Sequence, residues 1–207
     1  MITIIDYEMG NLRSVEKAFE KLGYAARVSS NPADLENTDK IVLPGVGAFR
    51  DCINNLRAGG FVEPLLQHVA AGKPLLGICV GMQMLFDESE EFGRHQGLGL
   101  VPGKVVRFPA GMEEGGERLK VPHMGWNTIQ IKQDAPIFKD TVEGSYVYFV
   151  HSYYCSADNH DDVAASCRYG EIEFCAAICR DNLMATQFHP EKSQDIGLNI
   201  FKNFGEL

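Results

Sequence analysis

Missing from this chain of 207 residues is any apolar run of about 18 residues, so no membrane-spanning helix is expected. It also lacks an excess of positive charge: 19 Lys and Arg stand against 28 Asp and Glu, giving a net charge of -9. An acidic surface repels the phosphate backbone, which argues against a nucleic-acid partner. Met1-Ile2-Thr3-Ile4-Ile5-Asp6 has neither the basic start nor the small-residue cleavage site of a secretory signal. A cytoplasmic setting is therefore expected, with its six cysteines (52, 79, 155, 167, 175 and 179) as free thiols. Only Cys175 and Cys179 are close in sequence, and no second pair completes a zinc site. Neither a metal nor a resident cofactor is expected. No internal repeat, low-complexity tract or linker divides the chain, so residues 1–207 read as one domain.

What is present alternates strand and helix through the first half. Ile2 to Asp6 is a short β-branched run, and Asn11 to Leu22 has helical spacing at Leu12, Val15, Phe19 and Leu22, stopped by Gly23. Ala25–Ser29 and Lys40–Leu43 read as strands, with helices near Ala48–Arg57 and Phe61–Ala71. Leu75–Cys79 is a fully apolar strand, and Val80–Phe86 is expected to continue it as a helix. Apolar strands alternating with helices predict an α/β fold, its parallel sheet covered on both faces. The second half is richer in strand: Val105–Phe108, Trp126–Ile131, Tyr146–Tyr154, Val163–Arg168, Ala176–Arg180 and Met184–Phe188, before a closing helix from about Ile196 to Phe204. Ala110–Glu117, acidic and glycine-rich, is expected to be an exposed loop or hairpin tip.

Cys79 ends its strand between Gly77 and Gly81, where the chain must turn abruptly into the next element. This is the logic of a nucleophile elbow with sulfur in place of oxygen. A helix starting there would favour a thiolate and aim the Val80 N–H at an oxyanion. Gln83, one helical turn on, would face a bound substrate. The competing reading is a buried core cysteine. The Gly77–Gly81 segment lacks the Gly-Lys-Ser/Thr ending of a phosphate loop, and Gly45-Val46-Gly47 lacks the third small residue of a dinucleotide fingerprint.

His189 precedes Pro190, which disfavours helix, so the segment is expected to be extended with His189 and Glu191 facing the same way. Glu191 would then orient the imidazole and leave its other nitrogen for the Cys79 proton. The alternative is an ordinary surface turn. Leu43-Pro44-Gly45-Val46-Gly47 offers backbone N–H groups for an oxyanion hole, or is simply a strand-to-helix turn. A peptide flip at Val46, permitted by its flanking glycines, would switch such a donor in and out.

Taken together, five segments resemble the class I (triad) glutamine amidotransferases. They are Pro44-Gly45-Val46-Gly47-Ala48-Phe49, Gly77 to Gln83, Val121-Pro122-His123-Met124-Gly125-Trp126-Asn127, Tyr148 to Tyr154 and Gln187-Phe188-His189-Pro190-Glu191-Lys192-Ser193. They occur in the family's order and span nearly the whole chain. The first and third narrow the resemblance to glutaminase subunits that serve an imidazole glycerol phosphate-forming cyclase in histidine biosynthesis. The resemblance implies a flavodoxin-like, mainly parallel central sheet flanked by helices, with additional antiparallel strands in the second half. It also implies Cys79 as nucleophile, His189 as base and Glu191 as its orienting group. Val46, Gly47 and Val80 would form the oxyanion hole, while Gln83, Glu91, Ser152 and Tyr153 would bind L-glutamine. Val80 replaces a leucine common at that position, a change of little consequence where the backbone acts.

The chain's length adds to this reading, because 207 residues spent on hydrolysis leave no acceptor-binding domain. The ammonia would pass to a second chain, which the resemblance implies is a (β/α)8-barrel cyclase in a heterodimer. His123, Met124, Trp126, His151, Ser152 and Tyr153 are expected near that partner, with a core position as the alternative for Trp126. Competing functions are a glutaminase feeding an anthranilate, aminodeoxychorismate or pyridoxal phosphate synthase, a non-catalytic homologue, or a general cysteine hydrolase. The last would leave Gln83 and the Pro-Gly-Val-Gly turn without a purpose.

Overall fold

The computed structural model describes residues 1–207. Its first half follows the alternation read from the sequence. The order is β1 (Ile2–Ile5), α1 (Leu12–Lys21), β2 (Ala26–Ser29), β3 (Lys40–Gly45), α2 (Phe49–Ala58), α3 (Val62–Ala70) and β4 (Leu75–Cys79). One turn of helix, α4 (Val80–Gln83), leads into β5 (Phe86–Ser89) and β6 (His95–Gln96). Strands dominate thereafter: β7 (Val101–Arg107), β8 (Glu113–Glu114), β9 (Glu117–Arg118), β10 (His123–Thr128), β11 (Gln130–Ile131), β12 (Tyr146–His151), β13 (Tyr153–Ala157), β14 (Val163–Tyr169), β15 (Ile172–Arg180) and β16 (Leu183–Thr186). Helix α5 (Gln194–Glu206) closes the chain.

The main sheet runs β2-β1-β3-β4-β16-β15-β13-β7-β5-β6, with β14 and β11 continuing from β15 along a side branch. Pairings from β2 through β16 are parallel, and the sheet turns antiparallel at β16 and β15. Every residue of β1, β4 and β16 is buried, as expected for parallel strands covered on both faces. Helix α1 buries Val15, Ala18 and Phe19. Phe19 packs against Phe201 of α5, the ring centroids 4.7 Å apart and the planes tilted by 54°, so the first and last helices share one side of the sheet. Burying such a phenylalanine contributes on the order of 2–3 kcal/mol.

Three expectations change. The helix expected at Val80–Phe86 lasts one turn, because the Met84 carbonyl accepts from Leu98 N–H and the Leu85 carbonyl from Leu100 and Val101 N–H. Those bonds divert the backbone into β5, whose ladder with β7 the mostly apolar run concealed. The continuous strand expected over Tyr146–Tyr154 is broken at Ser152. Its first part, β12, pairs with β10 in a separate two-stranded ribbon, whereas β13 joins the main sheet through β7 and β15. Finally, Pro190–Lys192 forms a short 3-10 turn rather than an extended segment.

Candidate active site

The sheet order places β3, β4 and β16 side by side, all parallel. Their C-terminal ends carry Gly45, Cys79 and Thr186, so Val46-Gly47, the thiol and the Gln187-Phe188-His189 segment are neighbours along one edge. Strands lie about 4.8 Å apart, a spacing that brings groups on adjacent ends into reach of one small molecule. A cavity of about 280 Å³ opens there, lined by Val46, Gly47, Cys79, Val80, Gln83, Glu91, Ser152, Tyr153 and His189 among others. That volume suits an amino-acid amide.

Cys79 is 4% exposed and holds φ +55° and ψ -110°, outside both the strand and helix regions. Such a conformation costs about 1–3 kcal/mol and persists only where its surroundings enforce it. Close backbone packing does so: a Cβ on Gly81 would lie 1.9 Å from the Leu43 carbonyl oxygen, and one on Gly45 would lie 2.6 Å from Gly81 N. Gly45 is therefore a packing glycine within β3 rather than a hinge. Gly47, at φ +92°, supplies the left-handed turn. The Val46 carbonyl accepts from the Cys52 thiol at 3.3 Å, tying that peptide to α2. Burial pushes the Cys52 thiol up to about 12, with a Tyr7 hydrogen bond opposing, so it keeps its proton to donate.

His189 Nδ1 lies 2.8 Å from Glu191 Oε1, and both side chains are 2% exposed or less. The 3-10 turn makes this contact, not strand alternation. Nε2 of His189 is buried and has no hydrogen-bond partner, as is Oε2 of Glu191. Burial disfavours the imidazolium, but the Cys79 and Glu191 contacts outweigh it and raise His189 to about 10. Asn11 stands at the N-terminus of α1 yet makes no capping bond; its Nδ2 donates to Glu191 Oε1 at 3.3 Å. A cap worth about 1 kcal/mol is forgone.

Of the proposed binding residues, Glu91 lines the cavity and accepts from the Phe49 N–H at 2.6 Å. Burial raises its carboxyl, and that N–H opposes the shift. The Gln83 side chain is already engaged, its Nε2 donating to the Tyr153 carbonyl at 3.2 Å and to Gln187 Oε1 at 3.0 Å. Ser152 and Tyr153 form the wall where β12 breaks from β13.

The sequence reading assigned no role to Gln187, whose Nε2 donates to Cys79 Sγ at 3.7 Å, or to Asn11. Gln187 lies two residues before the histidine and so was available as a signal; Asn11 looked like an ordinary helix cap. His151 and Lys192 also line the cavity. Among residues expected at a partner surface, His123 and His151 are buried at 3% and 6% exposure. Their rings enter an aromatic cluster with Phe108, Phe149, Tyr169 and Phe174. Met124 and Trp126, at 62% and 47% exposure, do face outward, so Trp126 is not a core aromatic.

A strained cysteine, a buried histidine–carboxylate pair and neighbouring backbone donors match a family already defined: the glutamine amidotransferase class-I model aligns with residues 3–206. The chain belongs to the class I glutamine amidotransferase family. It is 64% identical to imidazole glycerol phosphate synthase subunit HisH of Syntrophotalea carbinolica, with both chains covered in full. It is 61% identical to the HisH subunit of Geobacter sulfurreducens, covering 100% of this chain and 98% of that one. The fold is shared with a crystallised glutamine amidotransferase (TM-score 0.75, 18% identity, both chains fully covered). It is likewise shared with PurLQS from Thermotoga maritima (TM-score 0.74, 17% identity, 98% and 96% covered).

Proposed function

We propose that this chain is the glutaminase subunit of an imidazole glycerol phosphate synthase, acting as one glutamine amidotransferase domain over residues 1–207. The observation that carries this reading is the buried His189–Glu191 pair on the strand end beside the strained Cys79. The high identity to HisH subunits selects the synthase over anthranilate, aminodeoxychorismate and pyridoxal phosphate enzymes.

Cys79 Sγ attacks the side-chain carbonyl carbon of L-glutamine, forming a C–S bond while the raised His189 holds on Nε2 the proton that the thiol gives up. The carbonyl electron pair moves onto oxygen, where the backbone N–H groups of Val80 and the Val46-Gly47 turn stabilise it. Collapse of this intermediate breaks the C–N bond, and His189 returns the proton to nitrogen so that ammonia departs. Water then attacks the glutamyl thioester, giving its proton to His189. Expulsion of the sulfur releases glutamate. Glu91 faces the substrate amine and the Ser152–Tyr153 turn its carboxylate, while Glu191 keeps His189 in register throughout.

The ammonia enters a (β/α)8-barrel cyclase docked in the cytoplasm as the other half of a heterodimer. The outward Met124 and Trp126, on a ribbon whose neighbour β12 ends at the cavity wall, supply apolar surface suited to that contact. Glutaminase activity measured with and without the cyclase and its nucleotide substrate tests the reading. Cys79→Ala is expected to abolish glutamine-dependent synthesis and spare synthesis from ammonium. Loss of both activities, or a chorismate-binding copurifying partner, overturns it.

A further inference from the structure

Between the outward ribbon and the cavity runs a line of polar groups, half-buried at Asn127 and buried at two histidines, that the mechanism above does not use. Asn127 Nδ2 lies 3.2 Å from His123 Nε2, His123 Nδ1 lies 3.0 Å from His151 Nε2, and His151 Nδ1 lies 2.8 Å from the Tyr153 carbonyl oxygen. The register pairs His123 directly with His151, and positions 123 and 127 share one face of β10.

Both ends of this line are fixed independently. The Asn127 amide cannot be turned over, because Oδ1 accepts from the Thr128 N–H at 2.8 Å and Nδ2 donates to the Arg168 carbonyl at 2.9 Å. Its nitrogen therefore faces His123 Nε2, which must accept. That leaves the proton of a neutral His123 on Nδ1, aimed at His151 Nε2. At the other end a carbonyl oxygen can only accept, so His151 carries its proton on Nδ1. The two deductions meet without conflict: one N–H per ring, every bond running toward Tyr153. An added proton on His151 would set two N–H groups against each other. Burial favours the same uncharged state, lowering His123 to about 4 and His151 to about 3. His123 is held between Tyr169 and Phe149, with ring centroids at 4.2 and 4.9 Å, so its ring is not free to turn over.

We propose that Asn127, His123 and His151 form a one-directional positioning relay that fixes the Tyr153 carbonyl, and with it the substrate-facing Ser152–Tyr153 turn. Gln83 Nε2 holds the same oxygen from the catalytic side, so the turn is clamped between the end of β12 and α4. The relay orders the wall that receives the substrate's main chain; it touches no reacting atom. Its functional half rests on the reading of the cavity as a glutamine site.

Nitrogen-15 NMR of the imidazoles in the intact chain reads the tautomers directly, and the expected result is Nδ1–H on both rings with neither charged. A charged ring, or Nε2–H on His151, overturns the relay. Steady-state glutamine hydrolysis at saturating cyclase reads its effect. His151→Leu removes the final donor and is expected to raise KM about three- to tenfold, the worth of one hydrogen bond. Because the bond binds substrate and transition state alike, kcat should hold within about twofold. His151→Asn retains an N–H near the Nδ1 position and is expected to recover most of the KM. A merely structural histidine would lower kcat through lost folded protein and show no such rescue, which refutes positioning. Should His151→Leu not fold, His123→Phe keeps an aromatic ring in the sandwich and is expected to raise KM in the same direction; an unchanged KM refutes the proposal. If the wild-type complex hydrolyses no glutamine, the positioning role falls with the glutaminase reading, whereas the tautomers stand or fall by themselves.

Discussion

Replacing Glu191 by Gln isolates what the buried carboxylate does for His189. The substitution preserves shape and leaves an oxygen that can still accept from the imidazole Nδ1–H at the 2.8 Å spacing. It removes only the charge. Both side chains are 2% exposed or less, so solvent does not screen the loss. A charge-assisted hydrogen bond contributes about 1.5–3 kcal/mol and a neutral one about 0.5–1.5, so the charge alone is worth about 1–1.5 kcal/mol, each 1.36 kcal/mol being a factor of ten in rate. The expected result is a fall in kcat of about 5- to 13-fold in the cyclase-bound enzyme, with ammonium-dependent synthesis unchanged. The pH dependence has a definite sign. His189 is raised to about 10 in the folded chain, whereas an unfolded histidine titrates near 6.5. The stability drawn from its charged form is thus complete below about pH 6.5 and lost as pH rises toward about 10. Urea denaturation should show Glu191→Gln less stable than wild type at about pH 6, with the gap narrowing as pH rises. A kcat within about twofold of wild type, or a stability gap that widens with pH, would refute an orienting carboxylate.

Gly81→Ala would set a Cβ 1.9 Å from the Leu43 carbonyl oxygen, a backbone contact that no side-chain movement relieves. A loss of at least about 3 kcal/mol is expected in denaturant titration, at the upper end of overpacking costs. Asn11→Ala removes a donor to Glu191 without altering a cap, since none is made. It should lower kcat by about two- to tenfold while leaving thermal stability within about 1 kcal/mol. Cys52→Ala frees the Val46 carbonyl from its thiol donor. If reorientation of that peptide limits the uncoupled enzyme, glutaminase activity without cyclase should rise about two- to fivefold; an unchanged basal rate would discard the flip at Val46.

The parallel half of the fold and its nucleophile were legible because their signals are local. Leu75–Cys79 is apolar throughout, Gly77 and Gly81 bracket the turn, and strand–helix alternation fixes the topology class. Val80–Phe86 was not, since a run apolar apart from Gln83 satisfies helix and buried strand equally. Its ending depended on Leu98, Leu100 and Val101 reaching back to its carbonyls. The break at Ser152 was hidden for a similar reason. Tyr146–Tyr154 has strand-forming residues on both sides of His151-Ser152, and only partners distant in sequence reveal that the run serves two sheets. His189 and Glu191 were paired correctly but by the wrong geometry, because Pro190 constrains its predecessor and also starts a 3-10 turn well.

Local preference and site requirement conflict at several positions here, and each time the site prevails. Asn11 is a favoured helix cap that caps nothing, Cys79 is a non-glycine residue at φ +55°, and His189 Nε2 and Glu191 Oε2 are buried polar atoms without partners. A fold selected for stability alone would avoid all of these, since each costs about 1 kcal/mol or more. Scattered across the molecule they would be defects that the 51-residue apolar core absorbs. Single instances occur elsewhere, in the buried Arg27 Nε and His68 Nδ1 and in the positive φ of Glu8, Phe92, Asp140, Asp181 and Gln194, but these four meet around the C-terminal ends of β3, β4 and β16. Convergence of both kinds of cost on one edge is what a reaction centre requires, because strain and unpaired polarity are useful where a substrate relieves them. The empty valence of His189 Nε2 marks the place a thiol proton goes, and the unfavourable backbone of Cys79 marks the atom that gives it up.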